Sequence, residues 1–144
     1  MPPKKTLHQL IELARSKSDN AARSLGKSRS HEEEETAKLR LLLEYRREYM
    51  LRFDEAGRAG LDRSAWSNYR EFLHKLDSAI EQQNQVVAQR HLTVEERRTV
   101  WTAASRRLKS FDMLDQRQQQ AERASERKRE QRDHDELARD NRKH

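Results

Sequence analysis

The chain has 144 residues, of which 33% are hydrophobic and 39% charged, with 3 Gly, 2 Pro and no Cys. An ordinary globular domain is nearer half apolar and a quarter charged, so this composition excludes a thick hydrophobic core and argues against an ordinary enzyme. The net charge of +6 comes from 31 basic and 25 acidic residues, so most charges have an opposite neighbour, and an anionic partner is compatible rather than required.

The opening Met1-Pro-Pro-Lys-Lys5 lacks the apolar middle of a secretory signal, and no window approaches the roughly 18 apolar residues of a membrane-spanning helix. A soluble cytoplasmic protein with no integral membrane segment is therefore expected. Without Cys there is no disulfide or thiolate chemistry, in agreement with a reducing compartment. Glu, Gln, Lys, Arg, Leu and Ala dominate, the residues that lose least on entering a helix.

Steps of four and three from Leu7 land on Ile11, Ala14, Ser18, Ala21, Leu25, Ser28, Glu32, Glu35, Leu39, Leu42, Arg46, Tyr49 and Phe53, and nine of the fourteen are apolar. This stripe defines a first helix over residues 4–56. Gly26 stands alone within it, where glycine weakens a helix by roughly 1 kcal/mol against Ala without breaking it. Gly57 and Gly60, followed by the capping types Asp62 and Ser64, mark a reversal over residues 57–65, with a helix opening near Ala65 or Trp66.

From Tyr69 the same steps reach Leu73, Leu76, Ile80, Gln83, Val87, Arg90, Val94, Arg97, Trp101, Ala104, Leu108, Phe111 and Asp115, ten of fourteen apolar. A 3.5-residue register on both sides of one reversal predicts an all-α fold, two long helices forming an antiparallel coiled coil, with 66–118 as the paired part of the second helix. Centring the reversal on Leu61 pairs residues whose numbers sum to about 122. Phe53 is then opposite Tyr69, Ala21 opposite Trp101, and Glu32 opposite Arg90, a match of two lone seam charges. Beyond Asp115 to Gln118 the second helix runs out of partner. Residues 119–144 form a charged overhang, helical or frayed, in which Ala121, Ala124, Leu137 and Ala138 are the only apolar side chains.

The candidate chemistry is sparse. Six His residues are scattered, and His134 with Asp133, Asp135 and Glu136 is the one grouping that could attract a divalent ion, though a solvated face is the favoured reading. Glu32 to Glu35 form an acidic patch rather than a catalytic pair, and Gly57-Arg-Ala-Gly60 lacks the ending of a phosphate loop. No catalytic, cofactor or metal residue is assigned, and the chain reads as a non-enzyme. The basic clusters Arg97-Arg98, Arg106-Arg107-Lys109 and Arg127-Lys-Arg129 are interrupted by acids, which makes a nucleic-acid-binding coiled coil a runner-up only.

More informative is a second apolar stripe. With Leu42 and Tyr49 at d positions, Lys38 and Tyr45 are g; with Leu76 and Gln83 at d, Phe72 and Ala79 are g. In an antiparallel pair the two g flanks adjoin, so Tyr45, Phe72 and Ala79 share one face, extended by Leu42, Tyr49 and Leu76. Exposed aromatic surface beside a narrow seam is a docking face, the alternative being that Tyr45 and Phe72 merely widen the seam.

Three segments, Trp66-Ser-Asn-Tyr-Arg-Glu-Phe-Leu-His-Lys-Leu-Asp-Ser-Ala-Ile-Glu-Gln82, Leu42-Leu-Glu-Tyr-Arg-Arg-Glu-Tyr49 and Ala21-Ala-Arg-Ser-Leu-Gly26, resemble the FliJ family of flagellar export proteins over nearly the whole chain. The resemblance implies a soluble component of the flagellar type III export apparatus, an antiparallel coiled coil similar to the stalk of rotary ATPases. It would be cytoplasmic and peripherally associated with the cytoplasmic face of the inner membrane. The implied partners are the hexameric export ATPase FliI, the membrane export-gate protein FlhA and escort chaperones for minor filament-type subunits, with no nucleic acid. Carried over by position, the gate-binding patch is Lys38, Leu42, Tyr45, Tyr49, Phe72, Leu76, Ala79 and Gln83. The ATPase ring would take the overhang through Leu114, Arg117, Arg123, Arg127 and Leu137. The equivalent stalk of a virulence injectisome is the nearest alternative.

Overall fold

The computed structural model describes residues 3–143, and all of its regular structure is helical: α1 (Lys4–Ala59) and α2 (Arg63–Lys143). The two helices pack against one another as the two legs of an antiparallel hairpin, the all-α arrangement the periodicity predicts. Contacts divide the chain into two compact units, each built from one segment of either helix: Met1–Asn20 with Thr102–His144, and Ala21–Trp101.

In the unit formed by the two terminal segments, Leu7, Ile11, Ala14 and Ser18 are buried, Leu7 completely. Facing segments supply the half-buried Ala104, Ser105, Leu108, Phe111, Leu114 and Asp115. Small residues on both sides bring the backbones close enough for Ser18 Oγ and Ser105 Oγ to lie 3.4 Å apart. Lys4 Nζ meets Glu122 Oε2 at 3.3 Å, so contact between the segments extends to Glu122, four residues past the expected end of pairing at Gln118. The helix then continues to Lys143 with every side chain exposed except that of Ala138; His144, the last residue of the expected overhang, lies outside the described residues.

In the second unit Ala21, Leu25, Ser28, Leu76 and Val94 are buried, and each seam position from Glu32 to Phe53 is half-buried. Arg90, Arg97 and Trp101 depart from the seam pattern and are exposed. The register is reproduced where aromatic rings meet: Phe53 and Tyr69 stack edge to face at 5.2 Å. The expected pairing of Glu32 with Arg90 is not made. Glu32 Oε2 instead faces His91 Nδ1 at 3.5 Å, one residue further along, while Arg90 is exposed, its long side chain able to keep its charge in water.

The reversal is confined to residues 60–62, narrower than the expected 57–65, with α1 running three residues past 56 and α2 opening at Arg63 instead of 66. Gly57 is accommodated inside the helix, whereas Gly60 has φ of 97°, a left-handed conformation that ends α1 at no steric penalty because no Cβ is present. Asp62 caps α2: its Oδ1 accepts from the Ala65 amide at 2.7 Å, while Ser64 sits within the first turn. Gly26 lies mid-helix with open space where a Cβ would project.

Candidate functional site: an aromatic face and a helical extension

The aromatic face belongs to the unit Ala21–Trp101. Tyr45 projects from α1 and Phe72 from α2, their ring centroids 6.2 Å apart and inclined by 70°. Tyr49 fills the space behind them, 4.6 Å from Phe72 and 5.3 Å from Tyr69. Edge-to-face and tilted contacts of this kind suit the ring quadrupoles and hold the cluster in one arrangement. Burial pushes the Tyr49 hydroxyl above its usual range, with Tyr69 and Tyr45 adding to the effect, so it stays neutral throughout the physiological range.

The outer members of the cluster remain open to water, Tyr45 at 48% and Phe72 at 38% relative exposure. Leu42 and Ala79 are half-buried, and Leu76, 6% exposed, is not reachable itself. Tyr45 and Phe72, which heptad counting puts on one face, do lie together, but counting does not separate the exposed members of the stripe from the buried Leu76.

The polar rim is more ordered than its composition suggests. Gln83 Nε2 donates to the Glu35 carboxylate at 2.7 Å and to the Glu35 backbone carbonyl at 2.9 Å, and Lys38 Nζ donates to the other carboxylate oxygen at 3.2 Å. The Gln83 bond foremost, then Lys38, holds the Glu35 carboxyl below the usual carboxylate range, against the opposing pull of burial. Lys38 and Gln83 thus converge on one residue, Glu35, which counting had left in an undifferentiated acidic patch. The signal was available, since 35 and 83 are both seam positions. At the next layer Arg46 binds Asp77, which holds the guanidinium charged.

Of the residues assigned to the overhang, all lie in the unit of terminal segments. Leu114 is half-buried and contributes to packing, whereas Arg117, Arg123, Arg127 and Leu137 are exposed, Leu137 at 65%. The extension is held by local bonds, Gln119 to Asp115 at 3.1 Å, Arg127 Nε to the Arg123 carbonyl at 3.4 Å and Gln131 to Asp135 at 3.4 Å. A feature that counting missed sits at its base: His8 Nε2 lies 3.4 Å from Asp115 Oδ1, an oxygen shielded from water. Among the described residues no group of three or more His, Asp or Glu side chains is placed to hold a metal ion, and no helix is long and apolar enough to cross a membrane.

With two antiparallel helices, one reversal and an aromatic flank in place, comparison with known sequences becomes decisive. The family model described as "Flagellar FliJ protein" matches residues 3–142. The chain belongs to the FliJ family. It is 30% identical over 132 residues to the flagellar FliJ protein of Escherichia coli K12, covering 92% of this chain and 90% of that one. The flagellar FliJ protein of Salmonella typhi is similar at the same identity and coverage. Membership of the FliJ family makes the chain a component of the flagellar export apparatus, with a part in flagellum biogenesis and type III protein export.

Proposed function

We propose that this FliJ-family chain is a non-enzymatic link in flagellar export, joining the export ATPase FliI to the export-gate protein FlhA and handling escort chaperones. The observation that carries this reading is the aromatic face: Tyr45 and Phe72 pack edge to face, with Tyr49 against Phe72, yet both stay exposed. Large rings fixed in advance lose little entropy on binding, which is the property of an interface anchor. Lys38 and Gln83, tied through Glu35, form the rim of that face. The ATPase takes the charged extension after Gln118, which among the described residues makes no hydrogen bond or ion pair to α1 beyond Glu122 that would compete with the ring. ATP hydrolysis belongs to FliI, and association with the cytoplasmic face of the inner membrane follows from docking on FlhA rather than from any apolar segment of this chain.

Capture assays with the two partners test the assignment. A Tyr45→Ala, Phe72→Ala variant is expected to keep its helical circular dichroism and its binding to FliI, while losing FlhA binding and motility; unchanged motility removes the docking role. Truncation after Gln118 is expected to weaken FliI binding with FlhA binding intact, and full FliI binding by the truncated chain refutes the role of the extension.

A further inference from the structure

The unit Ala21–Trp101 carries a second surface, which the aromatic face does not include. Ser24, Lys27, Ser28 and His31 of α1 and Arg90, Thr93 and Arg97 of α2 line an open notch of about 200 Å³. Its origin lies in the seam. Arg90 and Arg97 occupy consecutive positions of one heptad phase, where the pattern calls for apolar residues, and the small Ser24 and Ser28 leave the space across from them unfilled. Both hydroxyls with a bond on their own helix, Ser28 to the Ser24 carbonyl at 2.8 Å and Thr93 to the Gln89 carbonyl at 3.2 Å, leave their oxygens able to accept but not to neutralise charge.

An acidic run, Glu32 to Glu35, sits one turn away and would be the natural counter-charge. Three of its four members face other groups: Glu32 lies 3.5 Å from His91, Glu34 lies 3.8 Å from His31, and Glu35 bonds Lys38 at 3.2 Å and Gln83 at 2.7 Å. Lys27, Arg90 and Arg97 consequently have no carboxylate within ion-pair distance among the described residues. Arg90 feels the Glu35 carboxylate at longer range without forming a direct ion pair with it. Charged side chains at seam positions such as 90 and 97 weaken a coiled coil, so cations there that no direct ion pair holds are placed for an external anion.

We propose that this notch binds an acidic segment of a partner protein, with carboxylates spaced to reach Arg90 and Arg97 together. Those two residues are seven positions apart, about 10 Å along the helix, the distance between glutamates at i and i+7 of a partner helix. The bidentate guanidinium geometry favours carboxylate pairs, and Lys27 adds a mobile third charge across the notch. Exposure of all three cations makes the contact salt-sensitive and tunes the rate of encounter as well as affinity.

Trp101 lies one turn beyond Arg97 and becomes the sole tryptophan when Trp66 is replaced by Phe, giving a built-in reporter. Full-length Trp66→Phe protein is titrated with a helical peptide carrying glutamates at i, i+3 and i+7, and with the same peptide bearing glutamines. A saturable change in Trp101 emission with the glutamate peptide alone, weakening as salt rises, is expected. Arg90→Gln with Arg97→Gln should reduce affinity at least about fivefold, and Arg106→Gln with Arg107→Gln, basic residues of the other unit, should leave it within about twofold. Lys27→Gln, at an exposed position with no ion pair to lose, should lower affinity on its own with helical circular dichroism unchanged, and keeps the test decisive if the arginine pair alters helicity. No saturable response, equal loss from the Arg106 and Arg107 pair, or tighter binding of a single-stranded oligonucleotide than of the peptide overturns the proposal.

Discussion

Two stretches of the unit Ala21–Trp101 use the same heptad register to opposite ends. Around Ala21, Leu25 and Ser28 the seam residues are small or singly branched, and each is no more than 8% exposed. Around Leu42, Tyr45, Tyr49 and Phe53 the residues are larger and more apolar, yet none of them is fully buried. Two helices can enclose small side chains completely because their backbones approach closely, whereas rings hold the backbones apart and leave edges in water. The greasier stretch is therefore the more exposed one, and in a two-helix protein apolar residues beyond what the seam can hold become surface for another molecule.

The sharpest way to break this comparison is to make the same truncation in both stretches. Leu25→Ala should destabilise by about 3 kcal/mol, since it empties a closed site, and Leu42→Ala by about 1 kcal/mol, since part of that side chain already meets water. Urea unfolding followed by circular dichroism measures both, and equal losses would mean that the two stretches are packed alike. Gly26→Ala strengthens the small-residue stretch and should raise stability by about 0.8 kcal/mol, because a Cβ there meets nothing within 4 Å and the helix gains propensity. A loss of stability would show that Gly26 is needed for close helix approach.

The smallest effect is on the polar rim of the aromatic stretch. The Glu35 carboxyl is lowered in the folded chain by Gln83 and then Lys38, so its contribution is present above the unfolded value of about 4.3 and is lost as pH falls through the lower folded value. Glu35→Gln should flatten the acid limb of a plot of melting temperature against pH below about pH 4.5, with a small loss of stability at neutral pH and convergence with the parent chain in acid. An acid limb identical to that of the parent chain would remove Glu35 from the rim network.

Much of the molecule was readable before any coordinates. The α1 stripe is buried or half-buried at every counted position from Leu7 to Phe53, because a 3.5-residue repeat leaves two long helices few other ways to hide apolar surface. Gly60 and Asp62 announced the reversal through chemistry that is local to the chain, a positive φ and a side-chain cap. The aromatic face followed from the same counting. Its inner and outer members did not, because Leu76 and Phe72 differ by one turn in sequence but by a layer of packing in space.

Amino-acid order alone thus determined the helices, their antiparallel register and which residues flank the seam, since periodicity and turn chemistry act over a few residues at a time. Only tertiary structure decided how the charges are partnered: Glu32 went to His91 rather than Arg90, Glu35 to Gln83 and Lys38, and Arg90, Arg97 and Lys27 to solvent. Long flexible side chains can each reach several partners, and the choice among them depends on ångström-scale differences in where their ends come to rest. A repeat written in whole residues does not encode that choice.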